Sequence, residues 1–371
     1  MKVDIVHDWL TNMGGAENVV LYFHDIYKEA PVYTSVVARS NLSEKFNDVN
    51  IIPSSLQGKK EEITNHKMYF PMMPQAFRHM ELEPCDVVLT SSSSCAKQVK
   101  VPEGAIHIVY CHTPMRYAWS AYKQYLKNSS FWKRPLIKVL IHKMRKLDLE
   151  SNAHVDYFIA NSNEVKKRIK TYYNRDSIVI HPGVDISRFK LTEDNDGFYL
   201  IVSRLVKYKR IDLAIEACNR LKRPLIIIGD GEEVKKLKKI AGNTVTFISG
   251  LTQEEIAFFY SRCKAFLFPG EEDFGITPVE AMACGKPVIA YSKGGVLDTV
   301  INKKTGLFFK WQSVDCLSEA ILDFETMEFD PYVIRKRAEE FDVPIFEQKI
   351  KDFVNKCYEE KHKWFILTDV F

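Results

Sequence analysis

The chain has 371 residues, 46% of them hydrophobic and 27% charged, which is the composition of an ordinary soluble globular protein. At a typical size of ~150 residues per domain, this length predicts two domains. The 52 Lys and Arg residues against 48 Asp and Glu give a formal net charge of only +4. Because the sequence also contains no nucleic-acid-binding motif, we expect no nucleic-acid partner.

Cysteine usage and apolar runs indicate the compartment. The eight cysteines are scattered without a Cys-x-x-Cys pair, which favours reduced thiols in a cytoplasmic protein over a disulfide framework or a zinc site. The first residues, MKVDIVHDWL, carry two acids where a signal peptide needs a long apolar region. No run reaches the roughly 18 apolar residues of a membrane span. Any contact with the cytoplasmic membrane is therefore expected to be peripheral, on its inner face.

In chain order, short β-branched runs alternate with helical patterns, which predicts an α/β fold of two doubly wound, Rossmann-like domains. Residues 161–164, Asn-Ser-Asn-Glu, predict a helix-capping box. The segment PGVDISRFKLTEDNDGFY, residues 182–199, predicts a linker between domains 1–185 and 186–344. A terminal helix, about 345–371, is expected to pack back on the first domain. The predicted strands are 3–6, 86–89, 106–110, 157–160, 178–180, 199–202, 225–228, 245–248, 265–268, 288–290 and 307–309.

Ligands of open parallel sheets bind beyond the carboxyl ends of the strands, so two facing domains predict a cleft between them. Gly14 and Gly15 follow the first predicted strand and open a helix near Ala16. Their bare backbone and the positive helix end suit an anionic group, although an ordinary tight turn explains them equally well.

A second motif, SRLVKYKRID, places Arg204 and Lys209 just after predicted strand 199–202. Cations at a strand's carboxyl end suit a diphosphate, since Arg offers a fork of donors and Lys a point charge. The alternative is a solvated basic turn.

A third motif, PGEEDFGITPVEAMACGKPVIA, begins at Pro269. Thr277 predicts an N-cap, followed by Pro278 at the first helical position and Glu280 at the third, which together read as a capping box. The capping box leaves Glu272 unexplained, on the rim of the loop.

These motifs resemble those of the retaining GT-B glycosyltransferases of family 4. Glu272 and Glu280 enclose seven residues, as in the E-x7-E arrangement of that family, and GGAE, ANSNEVKKRI, IHPGVD and SRLVKYKRID resemble its other segments in the same order. The phrase CHTPMRYAW resembles a subgroup of bacterial enzymes that build surface polysaccharides, including O-antigen mannosyltransferases. The resemblance covers nearly the whole chain.

The resemblance implies a donor site in the second domain and an acceptor side in the first. It assigns Glu280 to the ribose of a nucleotide sugar, Arg204 and Lys209 to its diphosphate, and Glu272 to the sugar. No metal and no cofactor beyond the nucleotide sugar would then be required. The positions implied to contact the donor are Gly14, Gly15, Arg204, Lys209, Gly250, Glu272, Phe274, Gly275, Ile276, Thr277 and Glu280.

His112 follows predicted strand 106–110. A lone histidine is often structural, but the resemblance makes His112 a candidate sugar contact and a catalytic residue beside Glu272, Arg204 and Lys209. The resemblance also implies front-face attack, so no nucleophile is assigned. The candidate acids for an approach to the sugar are Asp8, Glu17 and Glu272. The acceptor side is expected to involve Arg116, Tyr117 and Trp119.

Residues 104–146 contain no Asp or Glu. Within them, about 131–147 combines Phe131 and Trp132 with a basic amphipathic helical pattern, which suits an anionic membrane surface. A core helix with a solvated face is the alternative. The apolar positions of the pattern are 136, 137, 140, 141, 144 and 147; the basic residues of 104–146 are Arg116, Lys123, Lys127, Lys133, Arg134, Lys138, Lys143, Arg145 and Lys146.

The sequence therefore predicts a retaining, metal-independent transfer of a hexose from a nucleoside diphosphate sugar to a lipid-linked or other glycan acceptor, with GDP-mannose as the preferred donor. A sucrose or trehalose synthase-like enzyme, a sugar-nucleotide epimerase and a non-catalytic nucleotide-sugar-binding subunit are the alternatives. Asp194-Asn-Asp196 matches the D-x-D of metal-dependent glycosyltransferases but precedes a strand, so we interpret it as part of a solvated linker.

Overall fold

The computed structural model describes residues 1–120, 122, 126–127 and 129–368. The predicted basic residue Lys123 and the last three residues of the predicted terminal helix lie outside the described residues. The chain forms two compact units, Met1–Pro182 with the chain from Phe346 onward, and Gly183–Ile345. Both units are α/β with parallel sheets, as the alternating pattern predicted.

The first unit contains a seven-stranded sheet in the order β3-β2-β1-β4-β5-β6-β7. The strand order reverses beside β1, so the carboxyl ends of β1, β4 and β5 lie side by side. His7 of β1 pairs with Ser91 of β4, and Ser92 of β4 pairs with Cys111 of β5. Its elements are β1 Val3–His7, α1 Gly15–Ile26, β2 Val32–Thr34, β3 Ile51–Pro53, α2 Met73–Arg78, β4 Val87–Ser92, β5 Ile106–Cys111, α3 Arg134–Glu150, β6 Tyr157–Ala160, α4 Asn163–Tyr173 and β7 Ile178–Val179.

The second unit contains a six-stranded sheet in the order β10-β9-β8-β11-β12-β13. Here the order reverses beside β8, so loops after β8 and β11 meet at one edge, where such sheets bind ligands. Its elements are β8 Tyr199–Val202, α5 Ile211–Leu221, β9 Leu225–Ile228, α6 Val234–Ile240, β10 Val245–Ile248, α7 Gln253–Arg262, β11 Ala265–Phe268, α8 Ile276–Ala283, β12 Val288–Tyr291, α9 Val296–Thr299, β13 Gly306–Phe309, α10 Val314–Glu325 and α11 Pro331–Glu339.

The terminal helix α12, Val343–Thr368, packs on the first sheet. Its buried Phe346 stacks on Phe23 of α1 at a centroid distance of 6.1 Å and meets Tyr110 of β5 edge-on at 5.7 Å. Burying large aromatic side chains contributes strongly to such a contact, which explains why the end of the chain belongs to the first unit.

Local predictions were wrong at two places. Strands β2 and β3 were missed because each is short and adjoins or contains a proline, Pro31 and Pro53, which interrupts the apolar run. The two units divide at the start of the predicted linker, and its residues Val184, Ile186 and Phe189 are buried in the core of the second unit. The cap of α4 is Ser162, whose hydroxyl accepts the N–H of Val165 at 3.1 Å. Asn161 instead donates to the carbonyl of His112 at 3.0 Å.

All eight cysteines are free, and six of them are buried. The burial of these six agrees with the prediction of core thiols. Burial raises the pKa of the Cys218 thiol to about 12, so it behaves as a small apolar side chain rather than as a reactive thiolate.

Candidate active site

The loops after β8, β11 and β12 touch backbone to backbone at one edge of the second sheet. A Cβ atom on Gly270 would lie 2.9 Å from Cα of Lys209, and one on Gly295 would collide with the backbone of Asp273 and Phe274. Glycine is therefore required for these close approaches. Through them, the basic turn after β8 and the loop that carries Glu272 are held against each other.

Lys209 and Glu272 form an ion pair across these loops. Their side chains are only 14% and 21% exposed, so Glu272 is not on the open rim that the sequence suggested. The main chain of Glu272 also forms a bridge with Gly294 after β12. The structure thus brings together two residues predicted to contact neighbouring parts of one ligand.

Arg204 lies in the same basic turn but in a different electrostatic setting. Its side chain is exposed and, within the described part of the chain, contacts no carboxylate. Arg210, by contrast, binds Asp212 two residues away, at 3.1 Å. Arg204 is therefore an exposed cation that is accessible to an anionic ligand. The charge of Lys209 in the same turn is neutralised by Glu272.

The helix that carries Glu280 begins earlier than the capping-box pattern predicted. Gly275, with φ of 95°, is the N-cap of α8, and Ile276 is its first residue. Thr277 is therefore inside the first turn, and the predicted Thr277 capping box is wrong. The physical reason is that glycine accepts the left-handed conformation that starts the turn two residues sooner.

The Glu280 carboxylate is free of the capping role. Its Oε2 accepts the hydroxyl of buried Tyr260 at 2.7 Å. Burial raises its pKa above the usual 4.5, while Tyr260 and the nearby Arg188 oppose the rise. Glu280 is thus a half-buried carboxylate held by one hydrogen bond, with further acceptor sites for a ligand.

The other predicted donor contacts lie beside these groups. The Phe274 ring is buried against Phe341 at 5.8 Å, so its side chain anchors the loop. The first-turn N–H groups of Ile276 and Thr277 have no intrahelical acceptor, which favours an anion there. Gly250 is exposed after β10, with φ of 75°.

In the first unit, α1 begins at Gly15 with Gly14 as its N-cap. Glu17 is buried there, and its Oε2 lies 3.0 Å from where a Cβ on Gly14 would stand. A carboxylate at a helix N-terminus is favourable. A side chain at position 14 would therefore crowd the Glu17 carboxylate.

Asp8 does not fit the hypothesis that it approaches the sugar. Its buried carboxylate accepts N–H groups from Ser93 at 2.6 Å and from Cys95 and Ala96 at 2.8 Å. The Ser92 and Ser93 hydroxyls bind it as well. Asp8 therefore secures the turn after β4, and its acceptor sites are occupied.

His112 is half-buried, just beyond β5. Its Nε2 lies 2.7 Å from Oγ of Ser91. Burial lowers the pKa of His112 to about 3, with a smaller contribution from His7. The imidazole is therefore neutral at physiological pH and acts as a hydrogen-bonding group rather than as a cation.

The predicted acceptor-side aromatics are partly structural. Trp119 donates its indole N–H to Asp148 at 2.7 Å and stacks on Tyr172 at 5.0 Å. Tyr117 meets Phe70 edge-on at 5.2 Å, and Arg116 is half-buried next to it in sequence.

The D-x-D residues are engaged by a cation of the protein itself, since Asp194 and Asp196 both bind Arg262. Among the described residues, no group of three or more His, Cys, Asp or Glu side chains is arranged to hold a metal ion. Both aspartates are exposed, which agrees with the interpretation of this segment as part of a solvated linker.

Sequence reasoning missed several residues that build the site. The role of Tyr260 could not be predicted, because a tyrosine within an apolar helical pattern is typical of an ordinary core residue. His7 and Ser91, which adjoin His112, read as ordinary strand residues. The glycines after β12, in Ser-Lys-Gly294-Gly295, were detectable, since paired glycines after a strand often mark a close approach of backbone.

Comparison with known proteins agrees with this architecture. The family described as Glycosyltransferase Family 4 matches residues 13–188, and that described as Glycosyl transferases group 1 matches 183–341. The chain is 23% identical to an alpha-1,3/1,6-mannosyltransferase of Candida glabrata, covering 81% of this chain and 78% of the relative.

A GDP-mannose-dependent phosphatidylinositol monomannoside mannosyltransferase of Mycolicibacterium smegmatis is 30% identical over 38% of this chain and 45% of its own. The chain spans about half the length of several of the curated relatives that it matches. Among solved structures, Anabaena HepE with UDP and glucose aligns over 96% of this chain and 99% of its own, with a TM-score of 0.71 at 18% identity.

The two sheets, in their order and connections, are those of the GT-B fold, which this structural likeness supports over nearly the full chain. The two family matches are adjacent and divide where the two units divide. The chain belongs to the glycosyltransferases of family 4.

Proposed function

We propose that this protein is a retaining, metal-independent hexosyltransferase that uses a nucleoside diphosphate sugar, with GDP-mannose as the preferred donor. The observation that carries the proposal is the ion pair of Lys209 and Glu272 between the loops after β8 and β11, with Arg204 in the same turn after β8 and Glu280 on α8, the helix that follows β11. Two cations suit a diphosphate, and a carboxylate suits a pair of ribose hydroxyls.

In this proposal, the arriving diphosphate takes Lys209 partly away from Glu272 and adds Arg204. Glu272 is then released toward the sugar hydroxyls, for which a carboxylate is a strong acceptor. As the glycosidic bond breaks, negative charge grows on the leaving phosphate, where both cations stabilise it. This arrangement couples donor binding to the placement of Glu272 and needs no metal.

Front-face attack with retention is supported by the contacts and assigned roles of the candidate acids, which leave no carboxylate assigned as a nucleophile. A double-displacement mechanism needs a carboxylate nucleophile at the sugar. Asp8 is saturated by hydrogen bonds. Glu17 lies in the first turn of α1, and this proposal assigns Glu272 to the sugar hydroxyls, so none of the three candidate acids is assigned as a nucleophile. We therefore assign the acceptor's proton to the leaving phosphate.

Mannose and a lipid-linked acceptor draw support from the names of the relatives, one an alpha-1,3/1,6-mannosyltransferase and one a GDP-mannose-dependent enzyme acting on a phosphatidylinositol mannoside. The test is incubation with GDP-mannose, UDP-glucose and glycan or lipid-linked acceptors, with the anomeric configuration of the product read by NMR. An α-mannoside from GDP-α-mannose supports the proposal. A β-mannoside product, or transfer only to free sugars or sugar phosphates, would contradict the proposal and indicate another activity.

Donor binding is expected to weaken as the pH falls below neutral. Only the ionised Glu280 carboxylate accepts two hydroxyl protons, and burial raises its pKa above 4.5. Affinity should therefore decline at a higher pH than for an exposed glutamate. Calorimetry between pH 5 and 8 checks this. Glu280→Gln should bind weakly and without the pH step, whereas a step that survives in this variant would assign it to another group.

A membrane-docking surface is the second part of the proposal. We define the apolar tip as Phe131, Trp132, Leu136 and Val139, at the start of α3. Trp132 is 80% and Leu136 72% exposed, whereas only Ile141, Met144 and Asp148 of this helix are buried. Ile137 and Ile141 pack in the core of the first unit, as the core-helix alternative predicts, whereas Leu136 and Val139 in the same half of α3 stay exposed.

The charge of this surface indicates that its partner is an anionic membrane. Lys133, Lys138 and Lys143 flank the apolar tip, and residues 104–147 contain no acid. Exposed aromatics within a basic surface suit an anionic bilayer. No helix in the described part of the chain is both long and apolar enough to cross a bilayer. Arg145 does not belong to this surface, since it donates to the carbonyl of Ala118 at 2.6 Å and lies over the rings of Trp119 and Tyr122.

Charge reversal tests this surface. Lys138→Glu with Lys143→Glu should weaken binding to anionic vesicles at least ~30-fold, because each lysine near an anionic surface contributes ~1 kcal/mol. Trp132→Ser should weaken it further. The control is Lys235→Glu with Lys239→Glu on the exposed face of α6, which removes equal charge elsewhere. If both double variants lost vesicle binding equally, the loss would be explained by net charge and not by this surface.

A further inference from the structure

His112 is the last member of a line of three polar residues across the centre of the first sheet. Parallel pairing sets His7 of β1 opposite Ser91 of β4, and β5 brings His112 beyond its own end. Ser91 Oγ lies 3.1 Å from Nδ1 of His7 and 2.7 Å from Nε2 of His112. His7 and Ser91 are buried.

The hydrogen-bond partners fix where each proton sits. His7 Nδ1 also lies 3.1 Å from the main-chain carbonyl of Ser91. A carbonyl only accepts hydrogen bonds, so this Nδ1 must carry the proton. The Ser91 hydroxyl accepts from the same N–H and directs its own proton to its other neighbour, Nε2 of His112.

A neutral imidazole carries one proton, and Nε2 of His112 accepts a hydrogen bond in this network. The proton of His112 is therefore on Nδ1. In the described part of the chain, no group bonds to this Nδ1, while the residue remains half-buried rather than enclosed. His112 thus keeps one N–H donor for a ligand.

We propose that His7 and Ser91 are positioning residues that hold His112 in the Nδ1–H tautomer, so that it donates to a hydroxyl oxygen of the transferred sugar. The inference rests on the proposed function for the identity of that ligand. Burial lowers the pKa of both histidines, so the network stays neutral. Asp8 next to His7 is occupied by the turn after β4, and the Tyr110 ring meets His112 edge-on at 5.2 Å.

The tautomer is read directly by long-range ¹H–¹⁵N NMR of protein labelled in histidine, with His112→Asn used for assignment. The wild-type spectrum should show a protonated Nδ1 and an unprotonated Nε2 for His112. Ser91→Ala removes the donor to Nε2, so the proton should redistribute toward Nε2. A wild-type protein with its proton on Nε2 overturns the proposal.

Kinetics separate positioning from general structure. Ser91→Ala should lower kcat ~10-fold to 100-fold, by analogy with the loss of hydrogen-bond partners that orient metal-bound histidines. In the His112→Ala background the same change should add little, because coupled residues are not additive. An equal loss in both backgrounds would make Ser91 merely structural.

A matched pair at His7 keeps the test valid if Ser91→Ala folds poorly. Asn places an amide N–H near the original Nδ1, so His7→Asn should preserve the His112 tautomer, while His7→Leu should not. Identical His112 spectra in the two variants would contradict the proposal. If NMR shows the Nδ1–H tautomer but His112→Ala turns over the donor at the wild-type rate, the proposed sugar contact is wrong. The hydrogen-bond network of His7, Ser91 and His112 would still be supported.

Discussion

Replacing Lys209 with alanine is expected to weaken nucleotide-sugar binding by at least ~30-fold. The substitution removes a cation from the diphosphate site and leaves the Glu272 carboxylate, which is 21% exposed, without its partner. Truncating one partner of a hydrogen-bonded charge pair costs ~2–5 kcal/mol when the pair is buried, and the partial exposure of this pair favours the lower end of that range. The unpaired carboxylate would also repel the incoming phosphates.

Calorimetry with GDP and GDP-mannose measures this effect, and a second variant separates the two charges. Glu272→Gln keeps Lys209 available, so GDP should bind at least as well as to wild type, while GDP-mannose loses its sugar contact. Lys207→Ala is the matched control, because Lys207 is an exposed cation in the same turn. Wild-type affinity in Lys209→Ala would refute the role assigned to that lysine.

Replacing Asp148 with alanine is expected to destabilise the first unit by ~3–5 kcal/mol, the cost of breaking a buried ion pair by removing one partner. Lys97 Nζ lies 3.0 Å from Asp148 Oδ1, and their side chains are 4% and 0% exposed. The Trp119 indole would lose its acceptor as well. The lysine ammonium would be left buried without a carboxylate.

Urea unfolding of Asp148→Ala measures the loss. The control on the same helix is Lys146→Ala, since the Lys146–Glu150 pair is exposed and 3.9 Å apart. Exposed pairs of this kind contribute ~0–1 kcal/mol. Equal destabilisation in the two variants would mean that the buried network contributes no more than a surface pair.

The elements that the sequence predicted best are those with a continuous apolar signal. Strands Tyr199–Val202, Leu225–Ile228 and Ala265–Phe268 have the predicted bounds, because buried parallel strands are unbroken apolar runs. Two parallel Rossmann-like units in the GT-B arrangement of strands confirm the predicted fold class. Val32–Thr34 was missed although the shorter strand Ile178–Val179 was predicted, because Pro31 directly precedes it and interrupts the apolar run.

The chemistry of the candidate site was less accessible, because it depends on contacts between distant residues. The positions of Glu272 and Lys209 in the sequence do not show that they pair, nor that Gly270 allows their loops to meet. The pattern around Thr277 fits a capping box, but Gly275 starts the helix sooner. Arg145 reads as a solvated cation, yet it stacks on Trp119. The roles assigned to these residues toward a donor stay predictions.

The central claim is that the second unit binds a nucleotide sugar without a metal. A thermal-shift titration with GDP-mannose, UDP-glucose, GDP and UDP in the presence of EDTA tests it most directly, because ligand stabilisation grows with the ratio of ligand concentration to Kd. We expect the Tm of the wild-type protein to rise with GDP-mannose concentration and that of Lys209→Ala to stay constant. A wild-type Tm that no nucleotide sugar moves, or that moves only when a divalent metal is added, would contradict it.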